Sequence, residues 1–139
     1  MVERVLVPMD DSDLAEQALR YALETHPDAE IVVLHIVGEP SPMMGGAVGL
    51  ALEGDIETAA KEHASEVLDR AREIGDSYGI DVETEVAWGS PAKLIVKRAA
   101  DFDTVVIGSH GGSIAERIFV GNVARTVFRR SPVPVTVVR

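Results

Sequence analysis

Three glycines and an asparagine raise the first chemical question. Gly108, Gly111, Gly121 and Asn122 lie between an apolar run and a helical pattern, in "VVIGSHGGSIAERIFVGNVARTVFRR", Val105 to Arg130. Glycine permits turns and close backbone approaches that a Cβ would obstruct. Gly108 ends the apolar run and lets the chain turn, Gly111 and Gly112 let backbone N–H groups approach a ligand, and Gly121 stands where a helix starts. A helix start presents unpaired N–H groups and the positive end of the helix dipole. A loop that runs from a strand end to such a start suits a phosphate chain. A glycine-rich turn followed by an ordinary Asn122 N-cap would give the same pattern. Asp10 is the second candidate, in a turn directly after the first apolar run. It reads either as a ligand-binding carboxylate or as part of a helix cap.

Other chemistries are excluded by what is missing. Ser109 and His110 are adjacent, but G-x-S-x-G is absent. "SHGG" differs from the H-x-G-H of class I nucleotidylyltransferases and follows the wrong strand. Neither G-x-x-x-x-G-K-[ST] nor a G-x-G-x-x-G after the first strand occurs. His26, His35, His63 and His110 show no metal-ligand spacing, and no metal site is expected. His110 reads as a loop histidine within reach of phosphate, and His35 as a strand-end residue bonded to a neighbour. With no cysteine, disulfides and thiolate sites are excluded.

These residues need elements to hold them. Glu3–Met9, Ala29–Val37, Gly79–Gly89, Asp103–Ser109 and Ser131–Arg139 read as strands. Helices are expected after Asp10-Asp11-Ser12-Asp13, over Asp55–Tyr78, from Ser90-Pro91 to Ala100, and from Gly121 or Asn122. Ser12 or Asp13 caps the first helix. Asp13 with Glu16 also has capping-box spacing. Gly38–Gly54 reads as a long loop, either a Met-rich lid or a floppy connector. Trp88 is expected to cover one edge of the core.

Regular β-α alternation over 139 residues predicts a single doubly wound α/β domain, residues 1–139, with a five-stranded parallel sheet and helices on both faces. Ligands of such sheets sit beyond the carboxyl ends of the strands, where the order reverses. Polar and glycine-rich loops follow strands one and four, which favours the order 3-2-1-4-5 over 2-1-3-4-5. The third strand, with charged alternation, belongs near an edge. Pro132 and Pro134 mark the fifth as an edge strand, and its apolar Val133–Val138 invites pairing with a second copy.

Composition narrows the partners. A net charge of −10 opposes nucleic-acid binding. No apolar stretch is long enough to span a membrane, and none resembles a signal peptide, so a cytoplasmic location is expected. Lys61, Lys93 and Lys97 are the only lysines. A lysine-poor acidic surface suits a salt-rich cytoplasm, although an ordinary acidic protein has the same composition.

The spacing Gly108-x2-Gly111-x9-Gly121-Asn122 resembles the G-x2-G-x9-G-[ST] nucleotide motif of the universal stress protein family. "VLVPMDDSDLAEQALRYAL", "IVVLHIV" and "RRSPVPVTVVR" are similar to that family's opening, second strand and terminal strand, so the resemblance covers the whole chain. It implies an adenine nucleotide alpha hydrolase-like fold that binds ATP or AMP, with Mg²⁺ or Mn²⁺ held mainly by phosphates, and a homodimer formed through the last strand. It places Pro8 and Asp10 at the adenosine end, the backbone around Ile36 at the adenine, and Gly108, Gly111, Gly121 and Asn122 at the phosphates. Arg117 falls beside the phosphate loop. Asn122 departs from the Ser or Thr of the motif, and its amide is still able to donate to phosphate and to cap. Gly111-Gly112-Ser113-Ile114 lacks an arginine common in the family, which favours AMP or ADP more than usual. The role implied is a stress-response sensor or regulator with at most slow ATP hydrolysis. The alternatives are a nucleotide-free module that regulates a protein partner, and a hydrolase or transferase using Asp10, His110 and a metal.

Overall fold

The computed structural model describes residues 1–38, 53–109 and 121–139. Strands β1 (Arg4–Pro8), β2 (Glu30–Val37), β3 (Glu83–Trp88), β4 (Thr104–Gly108) and β5 (Val135–Val138) alternate with helices α1 (Asp13–Thr25), α2 (Glu53–Ser77), α3 (Pro91–Ala99) and α4 (Asn122–Arg130). The strands pair in parallel in the order β3-β2-β1-β4-β5. This is the doubly wound order the loop chemistry favours, with β3 and β5 at the edges. Helix α2 begins at Glu53, slightly earlier than the sequence pattern suggests. The remaining part of the expected lid, 39–52, lies outside the described residues.

The central strands are apolar on both faces because helices cover both. Val5, Val7, Ile31, Val33 and Val106 pack with Leu19 and Leu23 of α1 and Leu68 and Ile74 of α2. Leu6, Val32, Leu34, Val105 and Ile107 point the other way, onto Ile95 of α3 and Val127 of α4. The period-two alternation along each strand therefore sends successive residues into different layers. Each fully buried Leu or Ile contributes about 1.5–3 kcal/mol by leaving water. Phe102 is a buried aromatic, and the guanidinium groups of Arg4 and Arg98 lie 4.4 and 5.1 Å from its ring centroid. Trp88 departs from expectation. At the end of edge strand β3 it is half exposed and packs in neither core cluster.

The helix ends show why particular residues stand where they do. Ser12 is the N-cap of α1, and its Oγ accepts the Ala15 N–H at 3.2 Å, so Asp13 is the first helical residue and not the cap. Helix α2 ends in a Schellman motif. Ile80 N–H donates to Gly75 O at 3.0 Å, Gly79 N–H donates to Asp76 O at 3.0 Å, and Gly79 has φ +70°.

Candidate functional site

The cavity begins with a proline. Glu30 N–H donates to Glu3 O, and Met9 N–H donates to Leu34 O, so odd-numbered residues of β1 bond toward β2. Asp103 N–H donates to Arg4 O, so even-numbered residues turn toward β4. Pro8 is even-numbered and has no N–H to give. Register between β1 and β4 accordingly covers Val5–Thr104 and Leu6–Val105, whereas β1 stays paired with β2 up to Pro8–Leu34. The two strands part at their carboxyl ends, at the point where the strand order reverses.

A cavity of about 560 Å³ opens there, within the usual range for a small-molecule site. Leu34 and Ile36 of β2, Pro91 and Ile95 of α3 and Ile107 of β4 give it apolar walls. Its polar rim combines Asp10, Asp11 and Ser12 with Ser109, Gly121 and Asn122. No lysine or arginine stands among the described lining residues.

Asp10 is held in place locally. Its Oδ1 accepts the Ser12 N–H at 2.9 Å and also the Ser12 hydroxyl, while Ser12 Oγ in turn caps α1. The carboxylate therefore braces the cap residue, as the cap reading has it, and it also lines the cavity. Its Oδ2 has no protein partner among the described residues, which leaves an acceptor for a ligand hydroxyl. From behind, buried His35 places Nδ1 2.9 Å from Met9 O, the bond to a neighbour that the sequence suggested.

On the opposite side, the chain is drawn together across the glycine-rich segment. Ser109 N–H donates to Val138 O at 2.7 Å, and Ser109 O accepts the Gly121 N–H at 2.6 Å. Gly121, not Asn122, is the N-cap of α4, and no side chain caps it. Asn122 is the first helical residue, which corrects the capping role proposed for its amide. The N–H groups of Asn122, Val123 and Ala124 have no intrahelical acceptors and stand at the cavity. Gly108 is also explained differently. It has no positive φ, and a Cβ there would lie 3.0 Å from Leu14 C and O and 3.2 Å from Ala15 N. What it avoids is the backbone of α1, which packs directly on β4.

Pro8, Asp10, Ile36, Gly108, Gly121 and Asn122 thus meet at one cavity. His110, Gly111 and Arg117 lie outside the described residues. Sequence reasoning missed the apolar contribution of Pro91 and Ile95, because the loop after β3 was judged by its scarcity of polar groups. It also missed Asp11. Among the described residues no group of three or more His, Asp or Glu side chains is arranged to hold a metal, and no helix is long and apolar enough to cross a membrane.

A doubly wound sheet with an apolar slot, a carboxylate on one lip and an uncapped helix start on the other defines an α/β protein with a cavity at its switch point. The Universal stress protein family matches residues 1–139, and the chain belongs to that family. A universal stress protein of Methanocaldococcus jannaschii is 32% identical over 146 residues, covering 100% of this chain and 83% of the relative. The universal stress protein UspA from Lactobacillus plantarum superposes with a TM-score of 0.83 at 23% identity, covering 99% of this chain and 98% of that one. The universal stress protein from Archaeoglobus fulgidus, solved in complex with dAMP, gives 0.64 at 24% identity over 100% of this chain and 98% of its own. A family protein from Arabidopsis thaliana with AMP bound gives 0.68 at 16% identity, over 98% and 90%.

Proposed function

We propose that this chain binds an adenine nucleotide in the cavity between β1 and β4 and acts as a homodimeric regulator in the stress response. The observation that carries the reading is the pairing of an apolar slot with the uncapped start of α4 across one cavity. The base would lie against Leu34, Ile36 and Ile95, with the ribose hydroxyls at Asp10 Oδ2. A phosphate would take the free N–H groups after Gly121. On the phosphate side Gly111 would join by the family motif, Arg117 by its place in the family resemblance and His110 as a neighbouring loop histidine, and a divalent cation would ride on the phosphates of ATP. The dAMP and AMP complexes of the relatives support the ligand class. On this reading the protein is a sensor with at most slow hydrolysis, since the described lining offers no lysine or arginine to offset charge developing on a phosphate.

The dimer reading rests on β5. In the parallel ladder Pro134 O and Val138 O accept from Val105 and Ser109 of β4, so Val135 and Val137 direct their N–H and C=O groups outward. That apolar edge suits pairing with a second copy.

The test is mass analysis of small molecules released from the purified protein, followed by calorimetric titration with AMP and ATP. About one adenine nucleotide per chain, or saturable binding lost in Gly121→Val with the fold retained, is expected. Absence of both released nucleotide and binding at millimolar ATP would refute the reading in favour of the nucleotide-free module.

A further inference from the structure

If the cavity holds an adenine nucleotide, its rim carries a charge that α2 is placed to offset. Asp11 lines the cavity next to Asp10, and no described lining residue is a cation. His63 of α2 sets its Nε2 3.8 Å from Asp11 Oδ2. That is too long for a hydrogen bond and within ion-pair range once the imidazole is protonated. The His63 ring also meets His35, with centroids 5.8 Å apart and planes at 70°. His35 is buried and bonds to Met9 O. Two imidazoles therefore stand beside the segment Met9–Asp11, the buried His35 bonded to it and the half-exposed His63 near it.

We propose that His63 is a proton-dependent charge partner of the nucleotide site: when protonated it offsets Asp11 at the rim and raises affinity for anionic adenine nucleotides. Of the two imidazoles, His63 is the one that stands beside a carboxylate. A cation on His35 would be buried with no carboxylate in contact among the described residues, whereas a cation on His63 stays half exposed beside Asp11. Of the other charges nearby, Glu16 on α1 is bonded to Arg70 at 3.0 Å, and Glu57 pairs with Lys61 at 3.3 Å. Glu62 and Glu66 flank His63 on its own helix, and Asp10 shares the loop of Asp11. Histidine is the side chain that changes charge between about pH 5 and 8. One added positive charge at a water-exposed rim strengthens anion binding on the order of two- to five-fold at low salt, and less as ionic strength rises.

The probe is cyclic AMP, whose phosphodiester keeps a single charge across this range, whereas the phosphate of AMP itself titrates near about pH 6. Calorimetric titration of the full chain in low salt at about pH 5.5 and about pH 8 brackets the histidine range. The expected result is tighter binding at the acid pH by about two- to five-fold. That ratio falls in His63→Gln, any remainder being the share of His110 on the phosphate side and lost in the His63→Gln, His110→Gln double variant; His63→Lys keeps the tight form at the alkaline pH, and adenosine shows no such ratio. Should AMP bind and cyclic AMP not, the difference between parent and His63→Gln with AMP is the readout. A full ratio retained in His63→Gln overturns the inference and leaves the nucleotide reading intact. Failure of the parent chain to bind any adenine nucleotide at either pH overturns that reading, and this inference with it.

Discussion

Replacing Gly108 by alanine adds one methyl group to the buried contact between β4 and α1. The added Cβ would lie 3.0 Å from the Leu14 carbonyl carbon and oxygen and 3.2 Å from Ala15 N. Comfortable contacts run at about 3.5–4.0 Å, so one element must move by several tenths of an ångström. The atoms in the way belong to helix backbone and cannot rotate aside. Overpacking of this kind costs about 1–3 kcal/mol, offset by about 0.4–1 kcal/mol from the stiffer unfolded chain. A net loss of about 1–2 kcal/mol follows, which lowers Tm by about 3–8 °C for a domain of this size. The first turn of α1 is tied through Ser12 to Asp10, so the same shift reaches the cavity rim and is expected to weaken the proposed nucleotide binding. Gly38→Ala is the control, since no atom lies within 4 Å of its Cβ position and its φ is not positive. Urea and thermal unfolding of both variants test the reasoning. Equal stability of Gly108→Ala and the parent, with unchanged m-value, would refute the packing argument.

Gly75→Ala is expected to destabilise at least as much, since its Cβ would stand 2.7 Å from Ile80 O and 3.0 Å from Val82 Cγ1; the denaturant midpoint reads it. The Asp103 carboxyl is held below the usual aspartate range by the Glu3 and Arg4 N–H groups, which donate at 2.8 and 2.9 Å. A depressed folded pKa gives stability that is present at neutral pH and lost as pH falls through it. Asp103→Asn should therefore be less stable than the parent at pH 7, with the gap closing in acid, as followed by unfolding across pH. Glu83 is raised above the usual range because it shares a hydrogen bond with Glu30 and is repelled by it. Glu83→Gln should then stabilise at neutral pH, with a gain that fades as pH falls into the carboxyl range. Val137→Pro removes an outward N–H while leaving the β4 ladder intact; on the proposed β5 pairing, light scattering should show a dimer for the parent and a monomer for this variant. An unchanged mass would refute that pairing.

The elements were legible in the sequence because each carries its own period. Continuous apolar runs in β1, β2 and β4 require cover on both faces. Turn and cap residues mark the helix starts, and the glycine spacing after β4 points to the end of the sheet where a ligand would sit. Strand order also followed, since polar loops cluster after only two of the strands. Other features were settled by neighbours distant in sequence. Gly108 looks like a turn glycine until α1 is seen against it. Asn122 looks like a cap until the bond from Arg125 N–H to Gly121 O shows where α4 begins. Pro8 separates β1 from β4 only because its missing N–H falls on the β4 side, a matter of register. Asp11, His35 and His63 are unremarkable letters that packing brings into one cluster. Local propensity and periodicity depend on residues a few positions apart and can be read along the chain. Close approach, strand register and the charge around a cavity depend on which distant residues share space, and tertiary structure alone decides that.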